Sequence, residues 1–82
     1  RLANMKSMTC NQLAGACDLV FQAETFEEMG ELSKQHAMEM MQAGDAAHMA
    51  AMNEMGTMMQ DPAAMQAFFD GMRKEFDELP ED

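Results

Sequence analysis

The sequence is poor in the residues that favour β-sheets. It has no Trp, no Tyr and no Ile, and its single Val is Val20. Aromatic and β-branched side chains favour strands, whereas the Met, Ala and Glu that dominate this chain favour helices. The composition therefore argues against an all-β domain and predicts a mostly helical protein.

Positive charge is also scarce. Five Lys and Arg residues stand against fifteen Asp and Glu residues, which gives a formal net charge of −10 at pH 7. Proteins that bind nucleic acids need a basic surface to neutralise phosphates, and an anionic membrane repels an acidic chain. The charge balance therefore argues against nucleic-acid binding, and it favours a cation or a less acidic protein as partner.

Long apolar segments are missing as well. No run approaches the roughly 20 apolar residues that a membrane span needs. The start, Arg1-Leu2-Ala3-Asn4, lacks the apolar core of a signal peptide, and Met5 would serve as a native start, so whether residues 1–4 are native is open. The expected location is the cytoplasm, where two cysteines are more often thiols than a structural disulfide.

The length of the chain limits the core that it can bury. With 82 residues and 9.1 kDa, it is expected to form a single domain over residues 1–82. A domain of this size buries only about 60–65% of its unfolded surface, so a partner, a metal or a cross-link would add to a thin core. Thirteen methionines supply much of the apolar content. Met fills irregular gaps but specifies shape weakly.

The candidate β region lies within residues 5–23. Two short runs, Lys6–Thr9 and Asp18–Ala23, fit strands. In the second run, alternate residues form one apolar face: Leu19, Phe21 and Ala23. Between the runs, Asn11–Ala14 fits one helical turn, which Gly15 would close in the left-handed conformation. These features predict a two-stranded ribbon or an irregular hairpin around the cysteines.

Three helices are expected to follow, over residues 25–43, 45–60 and 62–79. Thr25 with Glu28 matches a capping box, Asp45 fits an N-cap, and Asp61 precedes a proline at the first helical position. Gly44 is expected to end the first helix. The predicted fold class is therefore α+β, mostly α, in which the short ribbon or hairpin packs on three amphipathic helices.

Each expected helix carries an apolar stripe at steps of three or four residues, which is typical of a buried helix face. In the second helix this stripe is His48, Met52, Met55 and Met59. Residues 80–82 follow the last helix as an acidic end that is expected to fray.

The two cysteines, Cys10 and Cys17, are separated by six residues. Zinc motifs usually pair cysteines at gaps of about two to four residues, although a turn could still bring these two sulfurs together. Cys10 precedes a possible helical turn, whose N–H groups would favour a thiolate. Three interpretations stay open: small buried apolar residues, a thiol or disulfide pair, and metal ligands.

Both histidines lie on apolar stripes, where a histidine is more commonly a core or boundary residue than a ligand. The alternative is that Cys10, Cys17 and His36 converge on one soft metal ion, since thiolate and imidazole suit zinc or Cu(I). His48 could complete the site only if the second helix folds back over the cysteine loop.

Methionine spacing permits two further functions. Thioethers select Cu(I), and four methionines of the second helix recur every three residues, although stripe methionines are more often core residues than ligands. Three methionines fall at or beyond the stripe edges: Met38, Met41 and Met58. Because Met-rich surfaces adapt to partners, these three predict a surface that docks a protein partner or a second copy of the chain.

Residues 5–36 carry a compound pattern. It reads Lys6-x-x-Thr9-Cys10-x-x-Leu13-x-Gly15-x-Cys17-Asp18, followed by Phe21-x-Ala23-x-Thr25-x-x-Glu28 and a later histidine. This pattern resembles a short prokaryotic family that is catalogued only as a domain of unknown function. The resemblance implies no activity, and the methionine-rich second half lies outside it.

No Ser/His/Asp arrangement, phosphate-binding loop or dinucleotide fingerprint is present, so the sequence predicts a protein that is not an enzyme. The first functional hypothesis is a small acidic accessory module that docks through a Met/Phe-rich helical surface. The alternative is a thiol-based protein that binds Zn or Cu(I), or has a redox function, through Cys10 and Cys17 with His36.

Overall fold

A two-stranded ribbon is followed by three helices. The computed structural model describes residues 4–82 of the chain. The elements are β1 (Lys6–Thr9), a single 3-10 turn (Asn11–Leu13), β2 (Val20–Ala23), α1 (Phe26–Gln42), α2 (Ala46–Met58) and α3 (Pro62–Glu78). This confirms the predicted α+β, mostly α fold, with a short ribbon beside three helices.

The ribbon is antiparallel, and its register sets which side chains are buried. Met8 lies opposite Phe21, and both are buried, while Val20 on the other face is exposed. β2 begins at Val20, two residues later than expected, and Leu19 is 48% exposed instead of sharing the buried face. The Leu19 carbonyl still accepts a hydrogen bond from Cys10 N–H, so the backbone pairing continues into the cysteine loop although the Leu19 side chain is not buried.

Local capping signals define the helix starts. Thr25 Oγ1 accepts a hydrogen bond from Glu28 N–H, and a Glu28 carboxylate oxygen accepts one from Thr25 N–H, so both bonds of the capping box are present. Asp45 caps α2, and Asp61 caps α3 ahead of Pro62. Each cap satisfies N–H groups that have no partner within the helix.

Gly15 was expected to close the helical turn, but two neighbouring residues of the cysteine loop have special roles. The left-handed residue that closes the 3-10 turn is Ala14, with φ 71°, and not Gly15. Gly15 is instead required by a close approach, because a Cβ at this position would lie 2.1 Å from Cys10 Sγ. Glycine is therefore needed here to leave space for the sulfur, and Ala14 carries the backbone strain.

The core lies between the ribbon, the start of α1 and the end of α3. Its buried hydrophobic residues are Met8, Cys10, Leu13, Phe21, Ala23, Met29 and Phe76. Of the methionines, all of which fall within residues 4–82, only Met8 and Met29 are buried. The expected stripe of α2 is therefore only partly buried: Met52 and Met55 are half-buried, and Met59 is 62% exposed.

The methionines of α2 stay accessible because the three helices do not close on one another. The molecule measures 35 × 31 × 15 Å along its principal axes, so it is a flattened body. A cleft remains between α1, α2 and α3, with the cysteine loop along one side. A helix with its side chains is about 10–12 Å across, so a body this thin has little depth in which to bury two faces of α2.

The acidic end at residues 80–82 is attached to the ribbon, contrary to the expectation that it frays. Asp82 N–H donates to the Met5 carbonyl at 2.7 Å. The Asp82 carboxylate accepts hydrogen bonds from Ser7 Oγ and Gln22 Nε2. Lys6 Nζ donates to the Phe76 and Asp77 carbonyls, both at 3.1 Å, at the end of α3. These bonds hold the last turn of α3 against β1.

Candidate metal centre

The cysteine loop is folded by its own backbone so that Cys17 returns beside Cys10. The Cys10 carbonyl accepts hydrogen bonds from Leu13 N–H at 3.1 Å and from Gly15 N–H at 2.8 Å. Asn11 N–H donates to the Cys17 carbonyl at 2.9 Å, which joins the two sides of the loop. The six-residue spacing therefore brings the two sulfurs to the same side of the ribbon, and both cysteines are free thiols.

His36 reaches the loop from the middle of α1. Its Nε2 lies 3.3 Å from Cys17 Sγ. Its ring contacts Phe21 in an edge-on arrangement with 5.6 Å between ring centroids. His36 is half-buried, so the imidazole is held between β2 and the second cysteine rather than in solvent.

His48 reaches the loop from the first turn of α2, because α2 folds back over the cysteines. Its Nε2 lies 3.6 Å from Cys10 Sγ, and the side chain is buried. Asp45, the N-cap of the same helix, places a carboxylate oxygen 2.6 Å from the other ring nitrogen, Nδ1. An ionised carboxylate only accepts hydrogen bonds, so Nδ1 is the donor and Nε2 of the neutral ring keeps its lone pair toward Cys10.

Asp45 also determines the electrostatics of this pair. Its hydrogen bond raises the pKa of His48 above the ordinary value, against the opposing effect of burial. The same hydrogen bond, together with one from His48 N–H, lowers the pKa of Asp45. The carboxylate is therefore ionised at neutral pH and orients the imidazole.

The four side chains form one compact cluster. One donor atom from each of Cys10, Cys17, His36 and His48 lies within 4.8 Å of the other three. The His36 and His48 rings meet edge to face, with 5.1 Å between their centroids. Ligands bound tetrahedrally at zinc distances lie roughly 3.3–3.8 Å from one another, which the two sulfur–nitrogen distances already match. Small movements would therefore complete a coordination shell.

The sequence identified part of this cluster directly. Convergence of Cys10, Cys17 and His36 was one of the interpretations that the sequence left open, and the structure brings the three side chains together. The condition set for His48, that the second helix folds back over the loop, is met. Asp45 was recognised only as a helix cap. The available signal was its spacing of three residues before His48, which places a carboxylate and an imidazole on one helical turn.

The expected docking methionines lie elsewhere. Met38 and Met41 are one turn apart on α1 and are 48% and 45% exposed, whereas Met58 is half-buried at the end of α2. The structure therefore separates these three residues between two helices.

Comparison with known proteins identifies no relative. No family model, no curated protein and no solved structure matches this chain. The resemblance of residues 5–36 to a prokaryotic family of unknown function therefore stays a prediction. Across residues 4–82, none of the helices combines the length and apolar character needed to cross a membrane.

Proposed function

We propose that this protein binds one zinc ion through Cys10, Cys17, His36 and His48, and that the ion has a structural role. The observation that carries the proposal is the mutual approach of two thiols and two imidazoles within 4.8 Å. Two sulfur and two nitrogen ligands in a tetrahedral arrangement are typical of zinc. Cu(I), the other ion that thiolates select, is the competing occupant.

The second observation that supports zinc is the hydrogen bond behind His48. Histidines that bind zinc usually donate their other N–H group to a carboxylate or a carbonyl, which fixes the ring and strengthens the ligand. Asp45 provides this carboxylate at 2.6 Å from Nδ1. This hydrogen bond supports an imidazole whose Nε2 already lies 3.6 Å from Cys10 Sγ, so the ring is held at the cluster before any ion binds.

The ligand number favours a structural site over a catalytic one. Catalytic zinc sites usually have three protein ligands and leave one position for water or substrate, whereas structural sites have four. In this proposal, side chains from three segments would fill all four positions: the cysteine loop, α1 and α2. An ion in this position would join α1 and α2 to the loop, and its binding free energy would add to a small core.

The test is zinc content and its effect on stability. The purified chain should hold one zinc ion by native mass spectrometry with elemental analysis, and a chelator should lower its unfolding temperature. Cys17→Ala and His36→Ala should each lose the ion; both positions are half-buried, so their packing cost is smaller than at Cys10 or His48. Gln35→Ala, on the exposed side of α1, is the matched control and should keep zinc.

Two results would refute the zinc site. The first is a metal-free chain whose unfolding temperature does not respond to added zinc. The second is a chain whose zinc content is the same in Cys17→Ala, His36→Ala and Gln35→Ala. Stoichiometric copper in place of zinc would keep the cluster as a metal site but overturn the identity of the ion.

We propose, as a second function, that the outer face of α1 docks a protein that is less acidic than this chain. Leu32 and Met38 are exposed there and line one depression, and Met41 is exposed on the side of α1 next to α2. A net charge of −10 opposes self-association and favours a basic partner. The alternative is that this face binds a second copy of the chain, and light scattering after size exclusion tests it. If the chain forms a stable dimer, and the double variant Met38→Glu with Met41→Glu is a monomer, the partner is a second copy and not another protein.

A further inference from the structure

The cleft between the three helices is a concave apolar site that extends away from the Cys–His cluster and shares Cys10 and His48 with it. Its volume is about 420 Å³. Among its lining residues are methionine and phenylalanine side chains of α2 and α3: Met52, Met55, Met59, Met65, Phe69 and Met72. Small-molecule sites are typically apolar clefts of about 300–1,000 Å³ with a few polar groups, so the size and lining of this cleft match a ligand.

Two helical glycines keep this cleft open. Gly30 on α1 and Gly56 on α2 both line it, and a Cβ placed on either would meet no atom within 4 Å. Neither glycine has a positive φ. Glycine inside a helix disfavours that helix relative to alanine, and here no packing contact requires it. Their effect is to leave unfilled space along two walls of the cleft.

Among the residues that line the cleft, one has a lysine or arginine side chain. Lys34 lines it and is exposed. Two other basic residues have partners: Lys6 donates to carbonyls at the end of α3, and Arg73 pairs with Glu27. No hydrogen bond or ion pair joins Lys34 to another residue in the part of the chain described. Its ammonium is therefore available to an anionic group on a bound molecule.

We propose that this cleft binds an aliphatic carboxylate, with its hydrocarbon chain between the methionines and its carboxylate paired with Lys34. Methionine is unbranched and polarizable, so a wall of methionines adapts to a flexible chain, and each buried methylene adds favourable transfer free energy. The overall negative charge repels anions, so Lys34 supplies the local attraction. This site is additional to the zinc cluster, although Cys10 and His48 belong to both.

Calorimetric titration of dodecanoate, below its micelle concentration, into the purified chain tests the proposal. Gly56→Leu and Gly30→Leu place a side chain in the cleft from opposite walls, and each should abolish binding. Gly71→Leu is the matched control: its Cβ also meets nothing within 4 Å, but Gly71 does not line the cleft. It should bind dodecanoate as the unchanged chain does.

A second pair of variants tests the carboxylate. Lys34→Met should weaken dodecanoate binding about tenfold, which corresponds to one ion pair of about 1.4 kcal/mol, and should leave dodecanol binding unchanged. Lys74→Met, on α3 and outside the cleft lining, is the control for the lost charge. Circular dichroism of each variant confirms that it is folded.

Three results would overturn the proposal. They are no binding of dodecanoate, equal binding by Gly56→Leu and Gly71→Leu, and equal weakening by Lys34→Met and Lys74→Met. Zinc content is measured in the same samples. If the chain holds no zinc but Gly56→Leu and Lys34→Met still weaken dodecanoate binding, the metal site alone is refuted. If the chain holds zinc but these two variants do not change dodecanoate binding, the cleft alone is refuted.

Discussion

The Asp45 carboxylate and the His48 imidazole form a 2.6 Å hydrogen bond on the side of the ring opposite Cys10. The same oxygen also accepts from His48 N–H at 2.9 Å, so one carboxylate both caps α2 and orients a ring. The N-cap therefore serves the helix and the cluster together.

Asp45→Asn should weaken zinc binding by about 10–100-fold, because an amide is a poorer acceptor for Nδ1–H and leaves Nε2 less basic. Competition against a chelating dye at fixed pH measures the affinity. Asp61→Asn is the matched control, since Asp61 caps α3 in the same way but has no histidine partner. Equal affinity losses in the two variants would show that Asp45 acts only as a cap.

Substitution of a buried methionine should lower the free energy of unfolding much more than substitution of an exposed one. Met29 is fully buried at 0% exposure, whereas Met49 is 47% exposed. Met29→Ala should therefore lower the free energy of unfolding by about 2–5 kcal/mol, through lost burial and a residual cavity. Met49→Ala should change it by no more than about 0.5 kcal/mol. Urea denaturation followed by circular dichroism compares the two variants. Similar losses of unfolding free energy would contradict the burial of Met29.

Ala14→Gly should stabilise the protein. Ala14 has φ 71°, a left-handed conformation that costs a residue with a Cβ about 1 kcal/mol and costs glycine little. Ala16→Gly, two residues along and without a positive φ, should destabilise it, because it only adds freedom to the unfolded chain. The urea midpoints of the two variants should therefore move in opposite directions, and a shared direction would argue against the strain at Ala14.

Asp82 should contribute a pH-dependent part of the stability. Hydrogen bonds from Ser7 and Gln22 lower the pKa of its carboxyl from the ordinary 3.8. A group whose pKa is lower in the folded state stabilises the fold fully above its unfolded-state pKa, and that stabilisation is lost as the pH falls through the folded-state value.

The unchanged chain should therefore be more stable than Asp82→Asn above about pH 4, and this difference should shrink below about pH 4 as the carboxyl becomes protonated. Urea denaturation of both proteins between about pH 3 and pH 6 measures it. Glu81→Gln removes the neighbouring charge and is the control. A difference that stays constant with pH would mean that the Asp82 carboxylate is not held by these hydrogen bonds.

Much of the fold could be predicted because its signals are local. The capping box of Thr25 and Glu28 and the proline after Asp61 are read within one helical turn, and the structure contains both. The alternation of Phe21 and Ala23 likewise predicts which face of β2 is buried. Such features depend on residues that are a few positions apart.

The features that sequence reasoning missed depend on contacts between distant segments. Leu19 and Met59 both lie on expected apolar stripes, yet they are 48% and 62% exposed, because burial depends on which other segment packs against them. The attachment of Asp82 to Ser7 joins opposite ends of the chain. The Cys–His cluster could be predicted in part. Residue type suggested three of its members, but including His48 required knowing the direction of α2.

Gly15 restricts how this sequence can vary. A methyl group at this position would lie 2.1 Å from Cys10 Sγ and 2.9 Å from the Cys10 carbonyl oxygen, so even alanine would displace the first thiol. If position 15 is changed to every other residue and the variants are selected for keeping both thiols in the cluster, only glycine should be recovered. Gly15, although it is not one of the four clustered side chains, thus determines where the Cys10 thiol can lie.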